Sequence, residues 1–273
     1  MSLTETYTLA NGMTIPKVGF GTWQSKDGEE AYQAVKTALE VGYRHIDTAA
    51  VYGNEESVGR AIKDSGIARE DLFITTKLWA VGTTEDARAA LDESLEKLGL
   101  DYVDLYLIHW PNPKAFRPNF AERNAAVWKA MEEGVRDKKV RAIGVSNFHP
   151  RHLEPLLEVA EIKPVVNQIM VNPSDQQEEV VAFNKAHDIL TEAYSPLGTG
   201  KIFAVTELTD IADKYGKTVA QVVLRWSLHK GYLPLPKSVT ASRIKENSDI
   251  FDFDLTEEDI AFIDSLHGKA GLA

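Results

Sequence analysis

The sequence predicts an α/β chain folded as a (β/α)8 TIM barrel with an N-terminal β-hairpin. Three observations carry that prediction. Eight short apolar runs alternate along 273 residues with segments of helical period. The runs are apolar throughout, which suits strands of a parallel sheet covered on both faces, and eight such repeats suit closure into a barrel. The length is close to the ~250 residues of one such barrel. No linker rich in Pro, Gly or Ser and no shift in composition divides the chain, so a single domain over residues 1–273 is expected.

The elements follow in order. Thr6-Tyr7-Thr8-Leu9 and Met13-Thr14-Ile15 flank Ala10-Asn11-Gly12, and an Asn-Gly pair between β-prone runs marks a hairpin. The strand-like runs are Val18–Phe20, His45–Thr48, Leu72–Leu78, Val103–His109, Ala142–Val145, Val165–Ile169, Ile189–Ala193 and Tyr232–Leu235. Between them, Ala31, Val35, Ala38 and Leu39 form the stripe of a half-buried helix, as do Val219, Val222, Val223 and Trp226. Thr83 with Asp86, and Thr256 with Asp259, have the spacing of N-terminal caps; Pro150 suits the first turn of a helix running on through residues 152–159. Gly42, Gly99 and Gly231 stand where helices should stop. An open, doubly wound sheet is the competing architecture. Gly19-Phe20-Gly21 starts like a dinucleotide fingerprint, but the third glycine position is Gln24, so any nucleotide must be held by another device.

Composition narrows the function. The absence of cysteine removes disulfides, thiolate nucleophiles, Cys-based zinc sites and iron–sulfur clusters, and fits a reducing cytoplasm. The N-terminal residues lack a basic region followed by an apolar one, and no apolar run reaches the ~18 residues of a membrane span, so neither secretion nor membrane insertion is expected. A net charge of −11 opposes a broad grip on nucleic acid or an anionic membrane. Any polyanionic ligand must therefore meet a local basic cluster. A cytoplasmic monomer acting on a small molecule is the expectation.

In such barrels the chemistry sits at the C-terminal ends of the strands. Asp47, Lys77, His109, Asn147, Gln168 and Glu192 interrupt the apolar runs there. Any one alone reads equally as a strand residue satisfied internally; recurrence at six strand ends points to a site. Trp23, Trp79 and Trp110 sit just past the first, third and fourth strands, where they could wall a substrate pocket. Trp128 and Trp226 lie in helix-period segments, where packing is their role.

Six motifs then occur in order: His45-Ile46-Asp47-Thr48-Ala49-Ala50-Val51-Tyr52-Gly53-Asn54-Glu55, Ile74-Thr75-Thr76-Lys77-Leu78-Trp79, Leu105-Tyr106-Leu107-Ile108-His109-Trp110, Ile143-Gly144-Val145-Ser146-Asn147-Phe148, Tyr194-Ser195-Pro196-Leu197-Gly198 and Leu235-Pro236-Lys237-Ser238. Together they resemble the aldo-keto reductase family, from about Gly19 to Asn247. The resemblance implies reduction of carbonyl groups with NADPH, and a catalytic set of Asp47, Tyr52, Lys77 and His109. Hydride reaching a carbonyl carbon leaves charge on its oxygen, so the site needs a proton donor and fixed dipoles aimed at that atom. By resemblance the donor is Tyr52. A cation about 4 Å from its hydroxyl is worth at most about 4 kcal/mol at an effective dielectric of about 20, in the direction of a stronger acid. Lys77 would be that cation, Asp47 would orient it, and His109 would hydrogen-bond the carbonyl oxygen. Asp104 is a further candidate partner for Lys77, or equally a surface charge.

By the same resemblance Ser146, Asn147 and Gln168 would bind the nicotinamide amide and Tyr194 would stack on its ring. Ser195, Leu197 and Thr199 would cover the pyrophosphate. Lys237, Ser238, Val239, Thr240, Arg243, Glu246 and Asn247 resemble the clamp on the adenosine phosphate. Lys237 and Arg243 would pair with the 2′-phosphate, which implies NADPH over NADH and supplies the basic cluster that an acidic chain requires. No metal is expected.

The segments after the fourth and seventh strands are short against better-known animal members, and Gly198-Thr199-Gly200-Lys201 leaves little chain for a belt over the cofactor. The tail from His267 to Ala273 carries no bulky specificity residue. The pattern looks most like bacterial reductases of diketo-sugar acids, small dicarbonyls and aromatic aldehydes, with Lys114 and Arg117 as candidate attractors of a substrate carboxylate. Two other functions compete. His45-x-Asp47 with His109 could be imagined as ligands of a metal-dependent hydrolase, although Lys77 would repel a dication. A redox-sensing subunit that binds cofactor but turns over little is the non-enzymatic alternative.

Overall fold

The computed structural model describes residues 2–269; Ala270–Ala273, the end of the predicted featureless tail, lie outside the described residues. Residues Thr6–Thr8 (β1) and Thr14–Pro16 (β2) form the antiparallel hairpin, with Gly12 at a left-handed φ of 84° in the turn. Eight parallel strands follow: Phe20–Gly21 (β3), His45–Asp47 (β4), Phe73–Leu78 (β5), Val103–Ile108 (β6), Val140–Ser146 (β7), Val166–Met170 (β8), Leu190–Tyr194 (β9) and Leu233–Leu235 (β10). Neighbours in sequence are neighbours in the sheet. Backbone hydrogen bonds from Gly19 to Pro234 (3.1 Å) and from Gly21 to Pro236 (3.0 Å) join the first strand to the last and close the barrel. Each predicted run coincides with a strand to within two residues at either end.

Helices wrap the outside: Glu29–Val41 (α1), Glu55–Asp64 (α2), Thr84–Leu98 (α3), Phe120–Arg136 (α4), Pro150–Val159 (α5), Glu178–Ala186 (α6), Glu207–Tyr215 (α7), Val219–His229 (α8), Ala241–Ser248 (α9) and Glu257–Asp264 (α10). The predicted stops are found: Gly42 and Gly99 cap α1 and α3 in the left-handed conformation, and Gly231 follows one residue past the end cap of α8. Thr83 and Thr256 accept the Asp86 and Asp259 backbone N–H groups, and Pro150 opens α5. The α1 stripe is buried as predicted. In α8 burial extends from Ala220 through Ser227, wider than one stripe, because α7, α9 and β10 all pack on it. Trp128 and Trp226 are packing residues, buried with their indole N–H groups on Ile162 O and Asp264 Oδ1.

Side chains alternate along each strand. Tyr106 and Ile108 face the helices, while Leu105 and Leu107 join Val166, Leu233 and Leu235 inside the barrel. Leu9 and Ile15 of the hairpin belong to this inner cluster, and the Tyr7 hydroxyl donates to Tyr232 O, so β1 and β2 plug the end of the barrel at which the strands begin. The inner layers toward the other end are polar, with His45, Asp47, Thr75, Lys77, Gln168 and Glu192 all buried. Glycine sets two close approaches. A Cβ on Gly19 would lie 2.5 Å from Leu235 Cδ2 and 2.6 Å from His45 Nδ1, which explains a glycine beside the closing strand without any nucleotide fingerprint. A Cβ on Gly144 would lie 2.6 Å from the Val166 carbonyl oxygen of the neighbouring strand. Gly144→Ala is therefore expected to destabilise the protein by about 1–3 kcal/mol, the range for overpacking a filled interior. Urea unfolding measures it, and an unchanged midpoint would contradict so close an approach of β7 and β8.

Candidate active site

A cleft of about 1110 Å³ opens where the strands end. Its wall includes Asp47, Tyr52, His109, Ser146, Asn147, Gln168, Tyr194, Ser195, Leu197, Thr199, Lys237, Ser238, Arg243, Glu246 and Asn247, all singled out from the sequence, together with Trp23, Trp79 and Trp110. Three candidates lie off the wall. Lys77 is fully enclosed just beneath it, Val239 is exposed beside it, and Thr240 is the residue that precedes α9.

The floor is built around Lys77, the inward residue near the end of β5. Its Nζ donates to Asp47 Oδ1 (2.6 Å), Thr48 O (2.9 Å) and the Tyr52 hydroxyl (3.3 Å), so all three ammonium protons have acceptors. Burial alone would lower the Lys77 ammonium, but Asp47 and Tyr52 outweigh it and hold it above its ordinary value. Tyr52 ends the short 3-10 turn Ala50–Tyr52, which Gly53 stops in a left-handed conformation. Burial raises its hydroxyl above the ordinary phenol value, with Lys77 pulling the other way and Asp47 adding to the rise. The net direction is upward, against the expectation that the cation would dominate, and it keeps the phenol protonated at neutral pH. A proton donor needs that state.

His109, at the end of β6, lies edge-on to Tyr52 and Trp79, with ring centroids 5.6 Å and 5.2 Å away. Burial, then Lys77, pushes its imidazole down to about 3, so the ring is neutral. Its Nδ1 is enclosed and has no hydrogen-bond partner. A proton there would be a buried, unsatisfied donor, so the favoured tautomer carries it on Nε2, the nitrogen able to donate to a ligand oxygen.

A second group of polar residues lines the neighbouring wall. Tyr194 donates to Asn147 Oδ1 (2.8 Å), Asn147 Nδ2 donates to His109 O (3.0 Å) and Ser146 Oγ (3.1 Å), and Ser146 donates to Gln168 O (2.8 Å). Gln24, Asn147, Ser195 and Thr199 have positive φ, four of the seven non-glycine residues that do among those described, and all four line the cleft. Backbone strain thus concentrates where ligand contact is expected. Further along, Lys237 and Arg243 stand near the start of α9, whose first turn has no side-chain cap. Neither cation makes an ion pair among the described residues. Free N–H groups and two cations at a helix start form an anion site.

The outer rim is apolar. Eight large hydrophobic residues are exposed among those described, and Trp23, Val51, Trp79, Trp110 and Phe203 line this one cleft. Such clustering marks a binding surface rather than scatter. Val51 and Phe203 were not picked out from the sequence. Neither was Arg123 on α4, which is buried and donates to the carbonyls of Val81 (2.7 Å), Trp110 (3.2 Å) and Trp79 (3.4 Å), tying both tryptophan loops to one helix. Burial pushes its guanidinium down to about 10. No sequence signal marks it, because its partners are backbone carbonyls on two distant loops.

Two expectations fail on position. Asp104 does not reach Lys77: it lies near the start of β6, fully buried, where it accepts from Arg69 (2.7 Å), Arg141 (2.9 Å) and the Ile74 N–H (2.9 Å). Lys114 and Arg117 are exposed on the turn before α4 and off the cleft wall. The short Gly198–Ala204 segment nonetheless reaches the cleft, contributing Thr199, Gly200 and Phe203.

A model of the family described as Aldo/keto reductase family matches residues 17–267. The chain is 49% identical over 267 residues to a Bacillus subtilis protein named glyoxal reductase, covering 97% of this chain and 94% of that one. It is 46% identical over 260 residues to an Escherichia coli K12 protein named methylglyoxal reductase, covering 94% and 92%. The solved structure of a Bombyx mori aldo-keto reductase in complex with NADP has a TM-score of 0.88 at 40% sequence identity, covering 98% of this chain and 94% of that one.

The electrostatics of the floor can be checked directly. His45 is pushed down to about 3 by burial and by Lys77, as His109 is. Both imidazoles take up protons more readily in the unfolded chain, so the stability they contribute is present above their ordinary value of about 6.5 and is lost as pH falls toward 3. Nitrogen chemical shifts of the two rings should remain those of neutral imidazole down to pH 5. A midpoint near 6.5 for His109 would overturn its enclosure.

Proposed function

The chain belongs to the aldo/keto reductase family, and on that premise we propose that it reduces aldehydes and ketones on small molecules, with NADPH as hydride source and Tyr52 as proton donor. One observation carries the reading: a fully buried ammonium, Lys77, stands between the Asp47 carboxylate and the Tyr52 hydroxyl at the floor of an aromatic-walled cleft.

The residues of the wall fit the cofactor. The uncapped first turn of α9 with Lys237 and Arg243 suits the adenosine 2′-phosphate, with Ser238, Glu246 and Asn247 beside it. Val239 and Thr240 would serve through the backbone that leads into α9. Ser146, Asn147 and Gln168 offer polar atoms to the carboxamide, and the Tyr194 ring, tethered by its hydroxyl to Asn147, offers a face to the nicotinamide. Ser195, Leu197 and Thr199 would cover the pyrophosphate. The bound cofactor supplies the hydride.

The chain supplies everything else. His109, neutral and with Nε2 free to donate, holds the carbonyl oxygen and fixes the approach of its carbon. As negative charge grows on that oxygen, the Tyr52 hydroxyl delivers its proton. The phenolate left behind is stabilised by the Lys77 ammonium 3.3 Å away, and Asp47 keeps that ammonium charged and aimed. Trp23, Trp79 and Trp110 exclude water and favour compact or flat carbonyl compounds. The relatives named for glyoxal and methylglyoxal support small dicarbonyls as the leading substrates; keto-sugar acids and aromatic aldehydes also suit a cleft of this size.

An NADPH-oxidation assay against methylglyoxal, diketogluconate and nitrobenzaldehyde tests the reading. Tyr52→Phe should bind NADPH normally and lose about 100-fold or more in kcat. Undiminished activity would refute Tyr52 as donor, and tight NADPH binding without turnover by the unaltered protein would favour a sensor. Arg243→Ala should raise KM for NADPH by about 10-fold, the scale of one lost charge-assisted contact, with little change for NADH. An equal change for both would remove the 2′-phosphate assignment.

A further inference from the structure

Of the six polar strand ends picked out from the sequence, Glu192 has no part in the reduction chemistry, yet it is fully buried beside residues that do. It lies on β9 directly opposite Gln168 of β8 in the strand register. Gln168 Nε2 donates to Glu192 Oε2 at 2.8 Å and to Asp47 Oδ2 at 2.8 Å. A primary amide has two N–H groups, and both are engaged by carboxyl oxygens. The orientation of the Gln168 amide follows from those two acceptors. Its nitrogen must face the barrel interior, and its oxygen is the polar atom left for the cleft that Gln168 lines.

We propose that Glu192 is a positioning residue: with Asp47 it locks the Gln168 amide so that Oε1 is presented to the carboxamide N–H of the bound nicotinamide. The inference rests on the reading above that Gln168 faces that group. Without Glu192, one buried N–H of Gln168 has no acceptor, and the amide is held by Asp47 at one point rather than two. The amide can then rotate about the remaining bond, and Oε1 swings off the position that the carboxamide needs.

The protonation of Glu192 gives the arrangement a pH dependence. The titratable and charged groups around it are Asp47 and His45 on β4 and Lys77 on β5, while β10 contributes Leu233 in the paired position. His45 Nε2 is 3.9 Å from Glu192 Oε1, but it is bonded to Thr75 Oγ1 at 3.1 Å, and Oε1 itself has no partner. Burial, then the Asp47 charge, pushes the Glu192 carboxyl up to about 8. Below that value it is a neutral acid whose Oε2 still accepts from Gln168. Above it a second anion stands beside Asp47, offsets the Lys77 charge and makes Tyr52 a weaker acid.

Two substitutions separate these roles from a merely structural one. Glu192→Leu removes the acceptor, and NADPH dissociation constants read by fluorescence should rise about 10-fold at pH 7. Glu192→Gln keeps an acceptor oxygen without a titrating proton and should recover most of that affinity. The unaltered enzyme should show an alkaline fall in kcat/KM near pH 8, and Glu192→Gln should displace that fall to higher pH. Unchanged NADPH affinity in Glu192→Leu overturns the positioning role, as does a loss in Glu192→Gln equal to that in Glu192→Leu. Should Glu192→Leu fail to fold, the pH profile of Glu192→Gln decides: one identical to the unaltered enzyme overturns the inference. Failure of the unaltered protein to bind NADPH would instead remove the functional reading on which the inference rests.

Discussion

A lysine ammonium sealed inside the barrel is the constraint on which the rest of the site depends. Removing an ion from water costs several kcal/mol even after the surroundings relax, and only close, well-aimed partners offset it. Lys77 has three: a carboxylate, a backbone carbonyl and a phenol. Each partner brings requirements of its own. Asp47 needs a donor for its second oxygen and has Gln168; Gln168 has a second N–H and gives it to Glu192. The polar upper layers of the barrel are the chain of compensation that begins with one buried cation. Asp47, the phenol and Gln168 also line the cleft, whereas Lys77 and Glu192 lie beneath it.

The remainder of the fold divides labour around this floor. Below it, the hairpin and the apolar inner layers exclude water. Above it, loops carry what a ligand would touch: strained residues such as Asn147 and Ser195 on one side, three half-exposed tryptophans on the other. Loops of this kind need fastening. Arg123 does this for two of them with a guanidinium whose planar fork reaches three backbone carbonyls at once, a task that the single point of a lysine ammonium would do poorly.

Much of the architecture was legible in the residues because it rests on local rules. An apolar run is a strand wherever helices cover both of its faces, a threonine three residues before an aspartate caps a helix wherever it falls, and glycine ends helices because the left-handed turn there disfavours other residues. Legibility failed where a side chain's meaning depends on its depth along a strand. Asp104 and Asp47 are both strand aspartates, but one lies where its strand begins and binds two arginines, while the other lies where its strand ends and meets Lys77. Lys114 and Arg117 sit on the right loop and still miss the cleft, since a loop's position in sequence does not say which side of it faces inward.

The sequence by itself determined the order and type of the elements, the barrel they close into and which polar residues stand at the strand ends. Periodicity, caps and motif order are encoded within a few residues of one another. Only the tertiary structure decided who shares whom: that one glutamine amide joins Asp47 to Glu192 across the barrel, that Lys77 lies beneath the cleft wall, and that a helix arginine holds two loops. Those pairings join residues as far as 121 positions apart. Barrel closure brings them within 3 Å, and no local pattern in the chain records a distance that exists only once the last strand meets the first.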